Sequence, residues 1–166
     1  MIQVYAGGDE VELFINGKSL GKQPCGKDTG FETQFNTVYE PGELVAVAYE
    51  NGEEIGRTSL KTAGKAAALT LCAEKYDTLA FVNVDVIDEN GLLVADSTVP
   101  LSVKIDGPAK LAAFGGVKAL HHNGYELPDT TAGEGHALVV VKLTGEEGKI
   151  AVTISGEGIK ETTLEL

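Results

Sequence analysis

Hydrophobic and polar residues alternate along most of this chain in short runs, and clusters of Gly, Asn and Asp separate one run from the next. Early in the chain the order is Asp9-Glu10-Val11-Glu12-Leu13-Phe14-Ile15-Asn16-Gly17-Lys18-Ser19-Leu20-Gly21. Val11, Leu13 and Ile15 fall on one face of a period-two strand and Glu12 on the other, while Asn16-Gly17 supplies the two positive-φ residues of a type I′ turn. A β-hairpin follows from that spelling. A second hairpin is predicted where Leu44-Val45-Ala46-Val47-Ala48-Tyr49 and Ile55-Gly56-Arg57-Thr58-Ser59-Leu60 flank Asn51-Gly52, with Pro41-Gly42 as the turn leading into it. The same reading gives strands over 2–6, 10–15, 18–23, 31–36, 43–50 and 53–60 in the first part of the chain.

Thr62-Ala63-Gly64-Lys65 breaks the pattern and marks a domain boundary. Beyond it, a strand is predicted over 68–71, and the longest alternation runs through Ala80-Phe81-Val82-Asn83-Val84-Asp85-Val86-Ile87-Asp88 to a turn at Glu89-Asn90-Gly91. Further strands are predicted over 99–105, 109–114, 136–143, 149–155 and 161–166, and 115–135 reads as one long polar loop. Helical periodicity is nearly absent. The chain is therefore expected to be all-β, with two tandem immunoglobulin-like β-sandwich domains over 1–62 and 66–166. A domain of roughly 60 residues is marginal as an independent fold, so the smaller domain is expected to lean on its neighbour.

Composition narrows the classes of function. The chain has 166 residues, 43% of them hydrophobic, and a formal net charge of −12. Such a charge argues against nucleic acid or an anionic membrane as partner, because both are bound through clustered Lys and Arg. Carbohydrate, a neutral ligand, stays open as a partner. No apolar run is long enough to span a bilayer, and Met1 leads directly into the strand-like Ile2-Gln3-Val4-Tyr5 with no targeting signal. An opening inside a strand suggests a piece of a longer protein, which leaves the compartment of the parent open between periplasm, exterior and cytoplasm. Cys25 and Cys72 fall on opposite sides of the predicted boundary and are expected to be free thiols.

Retaining glycosidases need two carboxylates about 5 Å apart on a rigid scaffold. Here Glu10, Glu12, Glu53, Glu54, Glu146 and Glu147 sit beside turns or alternate with apolar residues, the pattern of solvated faces. No catalytic residue is assigned. Asp88-Glu89-Asn90-Gly91 lacks the full ligand spacing of a calcium loop and reads as a hairpin turn. His121, His122 and His136 show no metal-ligand spacing and read as solvent-exposed loop histidines, and nothing calls for a metal or another cofactor. The chain has no Trp, so a sugar platform would have to use Tyr. Tyr39, Tyr49 and Tyr76 lie in or beside strands and are read as core or edge residues, which leaves Tyr125 in the long loop as the aromatic candidate for contact with sugar.

The string Glu12-Leu13-Phe14-Ile15-Asn16-Gly17-Lys18-Ser19-Leu20-Gly21, with Tyr39-Glu40-Pro41-Gly42-Glu43-Leu44-Val45-Ala46-Val47-Ala48-Tyr49 and the exit Leu60-Lys61-Thr62-Ala63-Gly64-Lys65, resembles the first β-sandwich that follows the catalytic barrel in β-galactosidase-like members of glycoside hydrolase family 2. In the second domain the resemblance rests on Phe81-Val82-Asn83-Val84-Asp85-Val86-Ile87-Asp88-Glu89-Asn90-Gly91, Gly107-Pro108-Ala109-Lys110-Leu111-Ala112-Ala113-Phe114-Gly115 and Gly135-His136-Ala137-Leu138-Val139-Val140-Val141, and this domain is also similar to bacterial adhesin modules. Similar enzymes tend to carry Gly-Arg-Ala-Leu where this chain has Gly135-His136-Ala137-Leu138. The resemblance implies a non-catalytic C-terminal accessory region of a larger hydrolase, whose two catalytic Glu residues belong to a barrel upstream. As partners it implies that barrel of the same polypeptide and a homo-oligomer formed through the sandwiches. Tyr125, His121 and His122 become candidates for a ligand-binding or active-site-rim loop. A carbohydrate-binding module and a cell-surface spacer of the adhesin type are the alternatives.

Overall fold

The computed structural model describes residues 1–117 and 124–166, which divide into two compact units, Met1–Thr62 and Ala63–Leu166. The expected loop histidines His121 and His122 lie outside the described residues. The described residues contain strands and a single 3-10 turn, Lys27–Thr29, and no α-helix. The fold is all-β.

In the first unit, strands β1 (Ile2–Tyr5), β2 (Glu10–Ile15), β3 (Lys18–Pro24), β4 (Glu32–Phe35), β5 (Glu43–Glu50) and β6 (Glu53–Lys61) form a four-stranded sheet of order β3-β2-β5-β6 and a two-stranded sheet, β1-β4. Every pairing is antiparallel. Both predicted Asn-Gly turns adopt the conformation that their sequence favours, with positive φ at Asn16, Gly17, Asn51 and Gly52. Asn16 also secures the entry to β5, accepting the Glu43 N–H at 2.8 Å through Oδ1 and donating through Nδ2 to the Pro41 carbonyl at 3.0 Å. A side chain at Gly42 would collide with that amide. Packing follows the alternation: Val11 and Leu13 on the inner face of β2 are buried with Cys25 and Phe35, against Ile2 and Val4 from the small sheet.

The second unit holds β7 (Ala68–Lys75), β8 (Leu79–Ile87), β9 (Pro100–Asp106), β10 (Ala109–Gly116), β11 (Asp129–Thr131), β12 (His136–Leu143), β13 (Ala151–Gly156) and β14 (Ile159–Glu165). Two four-stranded sheets, β10-β12-β8-β7 and β11-β9-β13-β14, face one another as a sandwich. Val82, Val84, Val86, Val139 and Phe114 from one sheet meet Leu101, Val103, Val152 and Ile154 from the other in a single buried cluster.

The long predicted loop contains β11, a short strand that pairs with β9. Asp88 also differs from the expectation of a simple hairpin turn. The chain does turn at Glu89-Asn90-Gly91, but the segment that follows returns to β8 through an isolated Ile87–Leu93 bridge and the Val94 N–H to Val86 carbonyl bond, not through a paired strand. The physical reason is that β7 takes one edge of β8 and β12 takes the other as far as Asp85, which leaves only Val86 and Ile87 for the returning segment.

Candidate functional site

A cluster of titratable side chains lies on the outer face of the first unit's larger sheet. Strand register builds it: Lys22 pairs with Glu12, Glu12 with Val47 and Val47 with Arg57, so their side chains form one row across β3, β2, β5 and β6. Glu12 accepts the Ser19 hydroxyl at 2.6 Å and the Tyr49 hydroxyl at 3.1 Å. The Lys22 ammonium stands 3.6 Å from the centre of the Tyr49 ring, a cation–π contact, and also pairs with Glu10 at 3.5 Å. Arg57 holds Glu54 in a bidentate pair at 2.7 and 2.6 Å. Within this row Val47 is 3% exposed, covered on a solvent-side face where an apolar residue is ordinarily open.

The electrostatics of the row are those of a structural lattice. Burial, then the hydrogen bond to Glu12 and its charge, raises the Tyr49 phenol above its ordinary value. The Arg57 guanidinium lowers the Glu54 carboxyl. General acid–base catalysis needs one carboxyl kept protonated and another ionised and free to attack or to take a proton. Glu12 and Glu54 are instead engaged by neighbouring donors, and the shift on Glu54 favours its ionised form. This arrangement holds the side chains of the row in place.

The residues singled out from sequence do not converge. Tyr125 is exposed and precedes β11; its carbonyl accepts the Phe114 N–H at 2.6 Å, which ties the loop to the end of β10. Tyr39 and Tyr76, expected in the core or at strand edges, are 77% and 58% exposed. The Tyr39 hydroxyl bonds to Thr62 Oγ1 at 3.1 Å, and Tyr76 meets the Phe81 ring edge-on while its hydroxyl donates to Glu74. Tyr5, which the alternation placed in an ordinary strand, is also exposed.

Two polar features escaped sequence reasoning. His136 is not a loop histidine: it opens β12, where register sets it beside Asp85 of β8, and its Nδ1 lies 2.7 Å from Asp85 Oδ1. Among the described residues no three His, Cys, Asp or Glu side chains gather as a metal ion would require. Asp88 is 2% exposed, and its carboxylate accepts the backbone N–H groups of Gly64 at 2.7 Å, Asn90 at 2.8 Å and Leu92 at 2.9 Å. Those donors, the Gly64 amide first, hold its carboxyl below the ordinary aspartate value against the opposing effect of burial. Asp88 thus fastens the segment that enters the second unit, and the oxygens a cation would need are bound to the backbone.

Residues 1–56 match a family profile described as a domain of unknown function, DUF4982, and residues 65–165 match glycoside hydrolase family 2 C-terminal domain 5. A β-galactosidase of Bacteroides ovatus is 29% identical over 98% of this chain, and a β-galactosidase of Thermoanaerobacter pseudethanolicus is 26% identical over 95%. The crystal structure of a glycosyl hydrolase family 2 member from Bacteroides cellulosilyticus superposes with a TM-score of 0.88 over 99% of the chain at 26% identity. In each case the match is a minor part of the larger protein: the chain spans 20% and 22% of the two β-galactosidases and 23% of the crystallised hydrolase.

Proposed function

Because this chain belongs to glycoside hydrolase family 2, as a C-terminal β-sandwich region of that family, we propose that it serves an architectural role in a larger enzyme that cleaves β-galactosides. The region is a non-catalytic accessory part. The observation that carries this reading is the mismatch of scale: the chain aligns almost from end to end with β-galactosidases but accounts for only 20% of the length of one of them. The occupied state of Glu12 and Glu54 supports it from the side of chemistry.

In that role the sandwiches bury apolar surface against the catalytic barrel of the same polypeptide or against a second subunit, and so fix the orientation of the barrel. Tyr125, His121 and His122 are the residues we would place at the rim of the active site. The test compares three proteins: the parent, the parent lacking residues 1–166, and the 166-residue chain alone. The parent should hydrolyse a nitrophenyl β-galactoside, the isolated chain should not, and the truncated parent should melt lower or change its oligomeric mass. Turnover by the isolated chain, or a truncated parent identical to the intact one in melting and mass, would contradict the proposal.

A further inference from the structure

The inner face of the first unit is only partly covered. Beside β1 lies an open groove of about 280 Å³, lined by Val4, Ala6, Val11, Ala46, Ala48 and Ile55 and floored on the β6 side by Gly56. All nine residues of β6 are exposed. A Cβ placed at Gly56 would meet nothing within 4 Å, although register puts Gly56 beside Ala48 and Ala48 beside Val11 on the inward face. An apolar floor next to a long, uncovered strand is a surface that folded proteins ordinarily cover.

The flank of the groove says what kind of group covers it. Just beyond the two strands the Ala6 N–H donates to the Phe31 carbonyl at 3.1 Å, so the β1 residues that bond to β4 are Ile2 and Val4. By the alternation of an antiparallel ladder, the N–H and C=O groups of Gln3 and Tyr5 point the other way, along the open side of β1. A small molecule would need convergent polar side chains to orient it, and those of the lining are Thr58, Arg57, which is held by Glu54, and Tyr5, whose hydroxyl is engaged by Glu32. A free strand edge above a floor of Ala, Gly and Val suits an extended backbone with small or branched apolar residues at alternate positions.

We propose that this groove receives a β-strand from the parent polypeptide, supplied from outside residues 1–166, which pairs with Gln3 and Tyr5 and completes the smaller sheet. The inference rests on the reading of the chain as part of a larger hydrolase. A segment of the same polypeptide is favoured over a second copy because its tether holds it at a high effective concentration, whereas a second copy must also overcome the entropy of association.

Hydrogen exchange over Ile2–Tyr5, measured in the 166-residue chain and in the full-length parent, tests the proposal. Gln3 and Tyr5 should exchange freely in the isolated chain while Val4 stays protected, and both should slow by ~100-fold or more in the parent. Gly56→Trp, whose Cβ has open space around it and whose ring would occupy the groove, should return Gln3 and Tyr5 of the parent to fast exchange. Slow exchange in the monomeric isolated chain, slowing that appears only with a doubling of its mass, or fast exchange in the unmodified parent would each overturn the proposal. A native protein no longer than this chain would remove the underlying reading itself, whereas a longer parent with fast exchange at both residues removes the added strand alone.

Discussion

In the unit spanning Ala63–Leu166, two sheets cover each other, and Val82, Val84, Val86, Val139, Val141, Val152 and Ile154 are all fully buried. In Met1–Thr62, a two-stranded sheet faces a four-stranded one; the buried cluster is Val11, Leu13, Cys25 and Phe35, and every residue of β6 is exposed. The strands of both units alternate in the same way along the sequence. Alternation therefore tells which face of a strand turns inward, while the depth of burial depends on whether another sheet lies above that face.

The contrast can be broken from its strongest side. Phe114 is 1% exposed between the two sheets of the second unit, and Phe114→Ala should cost about 4 kcal/mol in urea unfolding followed by circular dichroism. Phe35→Ala should cost less, about 3 kcal/mol, because the open groove lets its neighbours relax. That smaller loss should nevertheless melt the first unit alone, since a unit of its size has little stability to spare. Amide resonances of Met1–Thr62 should collapse while those of Ala63–Leu166 keep their dispersion.

Asp88 offers a sharper and smaller test of how the second unit is secured. Its carboxyl lies below the ordinary aspartate value in the folded chain, so its contribution to stability is present above that ordinary value and is lost as pH falls through the folded one. At neutral pH Asp88→Asn should lower the melting midpoint by about 5 °C. The gap between the two proteins should then narrow as pH drops below about 4. A gap that stayed constant down to pH 2 would show that the ionised carboxylate is not what holds Gly64, Asn90 and Leu92. The least effect is expected from Lys149→Ala: its pair with Glu165 spans 3.5 Å with side chains 87% and 70% exposed, and its removal should leave the midpoint unchanged.

Local chemistry explains which parts of the fold were legible in the sequence. The spans of β2, β5 and β12 follow directly from their alternation, and for β2 and β5 the adjoining Asn-Gly turns fix where the strand ends. β11 was missed because Asp129-Thr130-Thr131 is short and carries no apolar residue to mark a face. The second half of β7 was missed because Cys72-Ala73-Glu74-Lys75 loses the strong apolar signal while still pairing with β8. Of the polar sites, the sequence pointed to a turn at Asp88 and a histidine at 136. Their partners, Gly64 and Asp85, are brought to them by tertiary register across 24 and 51 positions, which no local pattern encodes. The outer row of Lys22, Glu12, Val47 and Arg57 is likewise a product of register between four strands.

That the chain is one part of a larger hydrolase is tested most directly by the mass of the native protein that carries it, read by antibody blot and peptide mapping of source-cell extract. The prediction is a product several times the 17.4 kDa of this chain, with peptides from a glycoside hydrolase barrel upstream. A native product near 17.4 kDa would contradict it.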